Sequence, residues 1–401
     1  MVGEPYAAEA ANIVRSCVHC GFCNATCPTY QLTGDELEGP RGRIYLIKGL
    51  LERGQFGEQT RQHLDQCLLC RNCETTCPSG VQYGRLIELV RPPVYRASDA
   101  PWHERGLRWL LARVLPYRRR FALVVASGRL VKPFLPRRLA ALVPVRRRIT
   151  ATQPPPQALA ARRVLILEGC VQPVLNPAID AAAVQVLGHL GFDVMPVRGS
   201  ACCGALAHHL GYDEDARRQA RLNIDAWWPM VEAGVAAVMA TSSGCGVHLK
   251  DYARLLADDA VYAERARVIE SLVRDPVELV DAEALRGRFD TAAVGPVAVQ
   301  TPCTLQHGQR LTGRIEEMLA SAGFDLAVTA EPHLCCGSAG TYSLLHGAAA
   351  TALRDRKLGN LLQQRPAVIA TANIGCQMHL DPASPVPVRH WLELLADCLR
   401  V

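Results

Sequence analysis

Apolar side chains recur along this chain at two different periods. Over the first third they return every three to four residues. Ile44, Ile47, Leu50 and Leu51 share one face of a stretch that Pro40 opens and Gly54 ends, and shorter helical patterns cover residues 7–15 and 58–66. Another runs from Val81 to about Val90, where Pro92-Pro93 is expected to close the unit. From Arg162 onward the pattern changes to short unbroken apolar runs: Val164 to Leu167, Ala236 to Ala240, Val297 to Val299 and Ala367 to Ala370. Helical periodicity separates them at residues 178–190, 213–233, 308–322 and 342–364. The order strand, helix, strand, long helix, strand, helix occurs twice, which predicts two small parallel sheets with crossover helices.

Cysteine placement sharpens both halves. Cys17-Val-His-Cys20-Gly-Phe-Cys23-Asn-Ala-Thr-Cys27-Pro28 and Cys67-Leu-Leu-Cys70-Arg-Asn-Cys73-Glu-Thr-Thr-Cys77-Pro78 both read C-x2-C-x2-C-x3-C-P. Three thiolates at that spacing wrap one corner of a [4Fe-4S] cluster, and the fourth, set apart by Pro, ligates the partner cluster. The expected ligands are therefore Cys17, Cys20, Cys23 and Cys77 for cluster 1, and Cys67, Cys70, Cys73 and Cys27 for cluster 2. Structural zinc usually takes two separated C-x2-C pairs, and a disulfide framework does not suit a reducing compartment. The 39 residues between the runs exceed a tight hairpin and carry the helices above. An all-helical module is predicted, similar to that of succinate dehydrogenase iron–sulfur subunits, with Arg41 and Arg43 near the clusters or at a solvated helix start.

The second half is a duplication. Cys202-Cys203-Gly204 lies 32 residues beyond Cys170, and Cys335-Cys336-Gly337 lies 32 beyond Cys303; Cys245 is matched by Cys376. All four Cys of a copy follow predicted strands, at the sheet edge where ligands of open parallel sheets gather. Cys303, Cys335, Cys336 and Cys376 with His379 form a candidate third metal site, and Cys170, Cys202, Cys203 and Cys245 with His248 a candidate fourth, for an iron–sulfur cluster or zinc. A metal-free thiol cluster is the alternative. His307 and His333 are candidates for proton handling beside the second copy. Cys398 fits no motif and reads as a packed thiol.

Charge adds one feature. Residues 101–150 hold thirteen Arg or Lys against one acidic residue, Glu104, in a chain whose net charge is +6, so the remainder is net negative. With Trp102, Trp109, Leu110, Leu115 and Phe134 interleaved, these residues predict amphipathic helices that lie on anionic lipid or pack on partner subunits; no nucleic-acid motif accompanies them. Arg146 to Arg148 and the linker Pro154-Pro155-Pro156 complete the segment. No stretch reaches the roughly 18 apolar residues of a membrane span, and no G-x-G-x-x-G follows a strand. The expectation is a soluble or peripheral, cytoplasmic chain that binds no flavin or nicotinamide itself. The fold class expected is α+β multidomain: a helical two-[4Fe-4S] ferredoxin module (1–95), a basic amphipathic linker (96–160) and two tandem α/β domains (161–290 and 291–401).

The doubled site resembles the cysteine-rich CCG domain of heterodisulfide reductase, except that the final Cys-x-x-Cys is replaced by Cys245-Gly-Val-His248 and Cys376-Gln-Met-His379. Longer stretches resemble the iron–sulfur subunits of bacterial glycolate oxidase (glycolate dehydrogenase). They are Cys17 to Cys23, Gly34 to Lys48, Cys70 to Pro78, Asn223-Ile-Asp-Ala-Trp-Trp-Pro229 and Leu334-Cys-Cys-Gly-Ser-Ala-Gly-Thr-Tyr342. The resemblance implies an electron-transfer subunit that takes electrons from FAD on one or more glycolate-oxidising partner subunits and passes them toward quinone, peripheral on the inner face of the cell membrane. The alternatives are the same role in a lactate or glycerol-3-phosphate dehydrogenase complex, or a heterodisulfide-reductase-like thiol reductase.

Overall fold

A computed structural model describes residues 6–54, 57–134 and 162–400. Arg146 to Arg148 and Pro154 to Pro156 lie outside the described residues.

The ferredoxin module is helical, as its periodicity predicts. Helices Tyr6–Arg15, Pro40–Arg53, Glu58–Asp65 and Tyr83–Ala97 bury one stripe each, and Ile13, Ile47, Leu64, Leu86 and Val90 meet in a core that also holds Cys67 and Cys73. Pro40 occupies the first turn of its helix, where its missing N–H costs nothing, and Gly54 ends it at φ 69°. One expectation is corrected: Pro92-Pro93 does not close the module, because the helix runs through both to Ala97. The two lost backbone hydrogen bonds are offset by packing. Leu89, Val90 and Val94 are buried in the module, and Pro92 sits against Gly211 of the next domain, where a methyl on Gly211 would lie 3.6 Å from the proline ring.

The basic segment forms helices Trp102–Val114 and Arg118–Val131. Their inner faces are anchored: Arg108 is buried, bonded to Asp65 at 2.7 Å and stacked 4.2 Å from the Tyr95 ring, while Phe121 and Val125 pack with Leu175, Ile179 and Ile374. The outer faces carry Trp102, Leu123, Leu130 and Phe134, all more than two-thirds exposed.

The two copies have the same topology. β1 (Arg162–Ile166), β2 (Phe192–Pro196), β3 (Ala237–Met239) and β4 (Val273–Arg274) run parallel in the order β2-β1-β3-β4. β5 (Val297–Gln300), β6 (Leu326–Ala327), β7 (Val368–Thr371) and β8 (Val388–His390) repeat it as β6-β5-β7-β8. Each sheet thus has a fourth strand beyond the three expected, and β4 and β8, reading Val273-Arg274 and Val388-Arg389-His390, mix apolar with polar or charged residues and so form no apolar run. Helix boundaries in the second copy also move. The stretch at 308–322 is a wide turn over Thr304–Gly308 followed by a helix at Arg314–Ser321, because Arg310 and Gly313 take positive φ. The stretch at 342–364 is broken at His346 into Tyr342–Leu345 and Gly347–Leu361. Val164, Ile166, Val297 and Val299 from the two sheets share one continuous core with Trp391 and Leu392.

Candidate iron–sulfur sites

In the ferredoxin module each run wraps its loop in the same way. His19 and Gly21 in the first, and Leu69 and Arg71 in the second, take left-handed φ between 53° and 84°. Left-handed backbone costs a side-chain-bearing residue on the order of 1 kcal/mol, so three such non-glycines mark loops held in shape by what they enclose. Cys27 caps the Pro28–Thr33 helix and Cys77 ends the Asn72–Thr76 helix with nearly the same dihedrals, φ −79°, ψ 117° and φ −78°, ψ 114°. Those matching bends send each fourth thiol across. One cavity is lined by Cys17, Cys20, Cys23 and Cys77 with Arg41 and Ile44, and Cys73 on its border. The other is lined by Cys27, Cys67, Cys70 and Cys73 with Arg43 and Leu68.

Burial raises the thiols here. It pushes Cys23 up to about 11, with Cys17 adding to the effect, and raises Cys70 and Cys73 further. Each cavity also has an arginine. Arg41 is bonded to Glu36 at 2.6 Å with its guanidinium over Gly21, and Arg43 is fully buried, donating to the His63 carbonyl (2.6 Å), Thr29 Oγ1 (3.2 Å) and Glu38 Oε2 (2.5 Å).

In the two copies the Cys residues converge at the carboxyl edge, on either side of the point where strand order reverses. Cys170 Sγ lies 3.3 Å from Cys202 Sγ, and Cys203 and Cys245 pack in the same cluster. In the second copy Cys303 is 3.8 Å from Cys335, and Cys336 is 3.3 Å from Cys376. Gly337 is required: at φ 88° a Cβ would stand 2.6 Å from the Ala350 carbonyl. Among the described residues no three His, Cys, Asp or Glu side chains are placed around a single metal ion. In a cluster each thiolate takes its own iron, so four sulfurs need not meet at one point.

The histidines divide. His248 is buried beside Gly204 and within the field of Cys203; burial lowers it to about 4, and its Nε2 has no hydrogen-bond partner. His379 does not join its thiols, because its Nε2 is 3.1 Å from the Ala350 carbonyl. Among the described residues, His248 Nε2 is without a hydrogen-bond partner while its counterpart His379 Nε2 has one. His307 bonds Thr75 Oγ1 at 2.9 Å and the His333 carbonyl at 3.0 Å, so it serves a seam between domains.

That seam has no signature in sequence. Cys70 and Leu68 pack with Cys303, Cys335 and Tyr342, Asn72 donates to the His333 carbonyl at 3.3 Å, and Tyr342 donates to Gln66 at 3.3 Å. The second ferredoxin cavity therefore abuts the thiols of the second copy. The first copy faces a separate cleft, lined by Glu88, Pro92, His208, Asp213, His248 and Asp251.

A family described as a 4Fe-4S dicluster domain matches residues 13–81, and one described as a cysteine-rich domain matches 164–250 and 297–381. The chain is 48% identical to the glycolate oxidase iron-sulfur subunit of Escherichia coli (strain K12), covering 98% of this chain and 96% of that protein. It is 30% identical to a probable glycolate oxidase iron-sulfur subunit of Bacillus subtilis (strain 168), covering 91% and 88%. It is 27% identical to lactate utilization protein A of Exiguobacterium sp. (strain ATCC BAA-1283 / AT1b), over 58% of this chain. A crystal structure of a hypothetical protein from Helicobacter pylori has the same fold, with a TM-score of 0.54 at 9% identity, covering 88% of this chain and 66% of that one.

Proposed function

This chain belongs to the family of glycolate oxidase iron–sulfur subunits, electron-transfer members of an oxidoreductase complex, and on that premise we propose that it serves a complex oxidising glycolate to glyoxylate. Electrons come from FAD on a partner subunit and leave toward quinone. The observation that supports this most directly is that Cys77 lines the cavity of Cys17, Cys20 and Cys23, and Cys27 lines that of Cys67, Cys70 and Cys73, with Cys73 between the two. Cys17, Cys20, Cys23 and Cys77 hold one [4Fe-4S] cluster, and Cys67, Cys70, Cys73 and Cys27 the other. Such clusters, when bound, accept and release single electrons, which splits the two-electron chemistry of a flavin. The chain itself supplies eight thiolates, a cation beside each cavity in Arg41 and Arg43, and apolar walls of Ile44 and Leu68 that limit water.

The substrate is tested with the complex assembled from this chain and its flavin subunits, reducing a quinone analogue with glycolate, lactate or glycerol-3-phosphate. Glycolate is expected to be turned over at least tenfold faster than the others. Faster turnover of lactate would move the chain to the lactate-linked alternative. Reduction of a disulfide by the chain and a low-potential donor would favour the thiol-reductase reading.

We place the complex on the inner face of the cell membrane, supported by helices Trp102–Val114 and Arg118–Val131, the first exposing Trp102, Trp109 and Leu110 and the second exposing Arg118, Arg119 and Arg120. Among the described residues no helix is long and apolar enough to cross a membrane. Each basic side chain near anionic lipid contributes about 1 kcal/mol. Replacing all three arginines with Gln should weaken binding to phosphatidylglycerol vesicles at least tenfold, less than the full sum because Arg118 also pairs with Glu168 at 3.3 Å. Unchanged binding would assign these helices to partner subunits.

A further inference from the structure

Lys357 is fully buried in the helix Gly347–Leu361. Its Nζ donates to the carbonyls of Glu331 and Pro332, both at 3.1 Å, which leaves one ammonium hydrogen without an acceptor among the described residues. The Glu331 carboxylate is engaged elsewhere, by Arg356 and by Asn360 at 2.6 Å. On the same helix Leu353 packs with Cys303 and Cys335, and Leu358 and Leu361 pack with Cys336 and Cys376. A buried ammonium with no carboxylate costs several kcal/mol unless another negative group faces it. Ligated to iron as thiolates, the four cysteines packed on its helix would be that group.

The first copy has a different residue in the same slot. Ala216 closes its carbonyl on Gly204 as Ala350 does on Gly337, and seven residues further along each helix stand Asn223 and Lys357. Asn223 is equally buried, but its amide is neutral and saturated. It accepts from the Ala201 N–H at 2.6 Å and donates to the Cys202 carbonyl at 3.0 Å and Tyr252 Oη at 2.9 Å. At this helix position the two thiol sites thus differ by one positive charge, and the site with Lys357 is the one that adjoins Cys70.

We propose that Lys357 is the counter-charge of an anionic iron–sulfur cluster held by Cys303, Cys335, Cys336 and Cys376, and that the first copy, with Asn223 in the same slot, holds no such cluster. This deepens the electron-transfer reading and rests on it.

The test uses the assembled complex, purified anaerobically, with iron and zinc analysis and EPR titration of the wild type and of Lys357→Met, Lys357→Gln, Cys336→Ser and Cys203→Ser. Wild type should carry about twelve irons on this chain, beyond the roughly eight of two cubanes. Cys336→Ser should lose about four, and Cys203→Ser none. Both Lys357 variants should lose the same four, or keep them with reduction at least tenfold less favourable, a midpoint lower by about 59 mV for one electron. The ferredoxin EPR signals, unchanged, report that each variant is folded; Lys357→Gln keeps donors for the two carbonyls. Wild-type iron and midpoint in both Lys357 variants, with iron lost in Cys336→Ser, would overturn the role of Lys357 and leave the site standing. About eight irons that Cys336→Ser does not change, or zinc in place of iron, would overturn the cluster itself without touching the ferredoxin reading. Iron lost in Cys203→Ser would overturn its assignment to one copy.

Discussion

Cys77→Ser is expected to strip about four irons from the cavity of Cys17, Cys20 and Cys23, sixty residues away in sequence, and to leave the cluster of its own run intact. The reason is a backbone bend. Cys77 leaves the Asn72–Thr76 helix at ψ 114° and enters a turn through Pro78, closed by the Gly80 N–H on the Cys77 carbonyl at 3.2 Å, and its thiol lines the opposite cavity while Cys67, Cys70 and Cys73 stay together with Cys27. Cys27→Ser should give the mirror result. With one of two carriers gone, quinone reduction by the complex should fall at least a hundredfold, while glycolate reduction of the flavin in a single turnover persists. Iron analysis and EPR of the two variants decide it. Loss confined to the Cys67 site in Cys77→Ser would show that each run keeps its own four ligands.

Arg43→Met should cost about 3–5 kcal/mol of unfolding stability, the range for breaking a buried ion pair by removing one partner. Arg43 is 1% exposed and its guanidinium serves three acceptors at once. Without it the Glu38 carboxylate keeps only His63 Nδ1, at 2.7 Å, and Thr29 and the His63 carbonyl lose a donor. Arg43→Lys should recover only part of the loss, since an ammonium cannot reproduce the planar fork. Denaturant unfolding, followed by the visible absorbance of the clusters, measures the difference. Because Arg43 lines the Cys27 cavity, that cluster should bleach first. Equal stability of Arg43→Met and wild type would mean that this network contributes nothing net.

What could be read from sequence was what covalent spacing controls. Two C-x2-C-x2-C-x3-C-P runs predict eight convergent thiols because three-residue loops leave little choice, and the matching 32-residue intervals predict the duplication. The alternation of strands and helices predicts six of the eight strands, four of them as apolar runs. β4 and β8 escaped because Val273-Arg274 and Val388-Arg389-His390 mix apolar with polar or charged side chains. Pro92-Pro93 misled because local backbone chemistry was outweighed by packing on Gly211. Lys357 was invisible for a different reason. A lysine on a helix usually faces water, and only the register shared with Asn223 shows that it does not. His379 followed the motif of His248 but bonded a carbonyl, since nothing in Cys-x-x-His says which way the ring turns.

The seam of Asn72, Thr75, His307, Tyr342 and Gln66 has a kinetic meaning. Carriers that deliver electrons by swinging a tethered head depend on diffusion of that head, and their turnover slows as the solvent thickens. Here the head is fastened to its receiver by side chains from both, and helix Tyr83–Ala97 fastens it again at Gly211. With the proposed cluster in the second copy, transfer to it from the ferredoxin module should therefore proceed at fixed distance, indifferent to viscosity, with its rate set by separation and driving force alone.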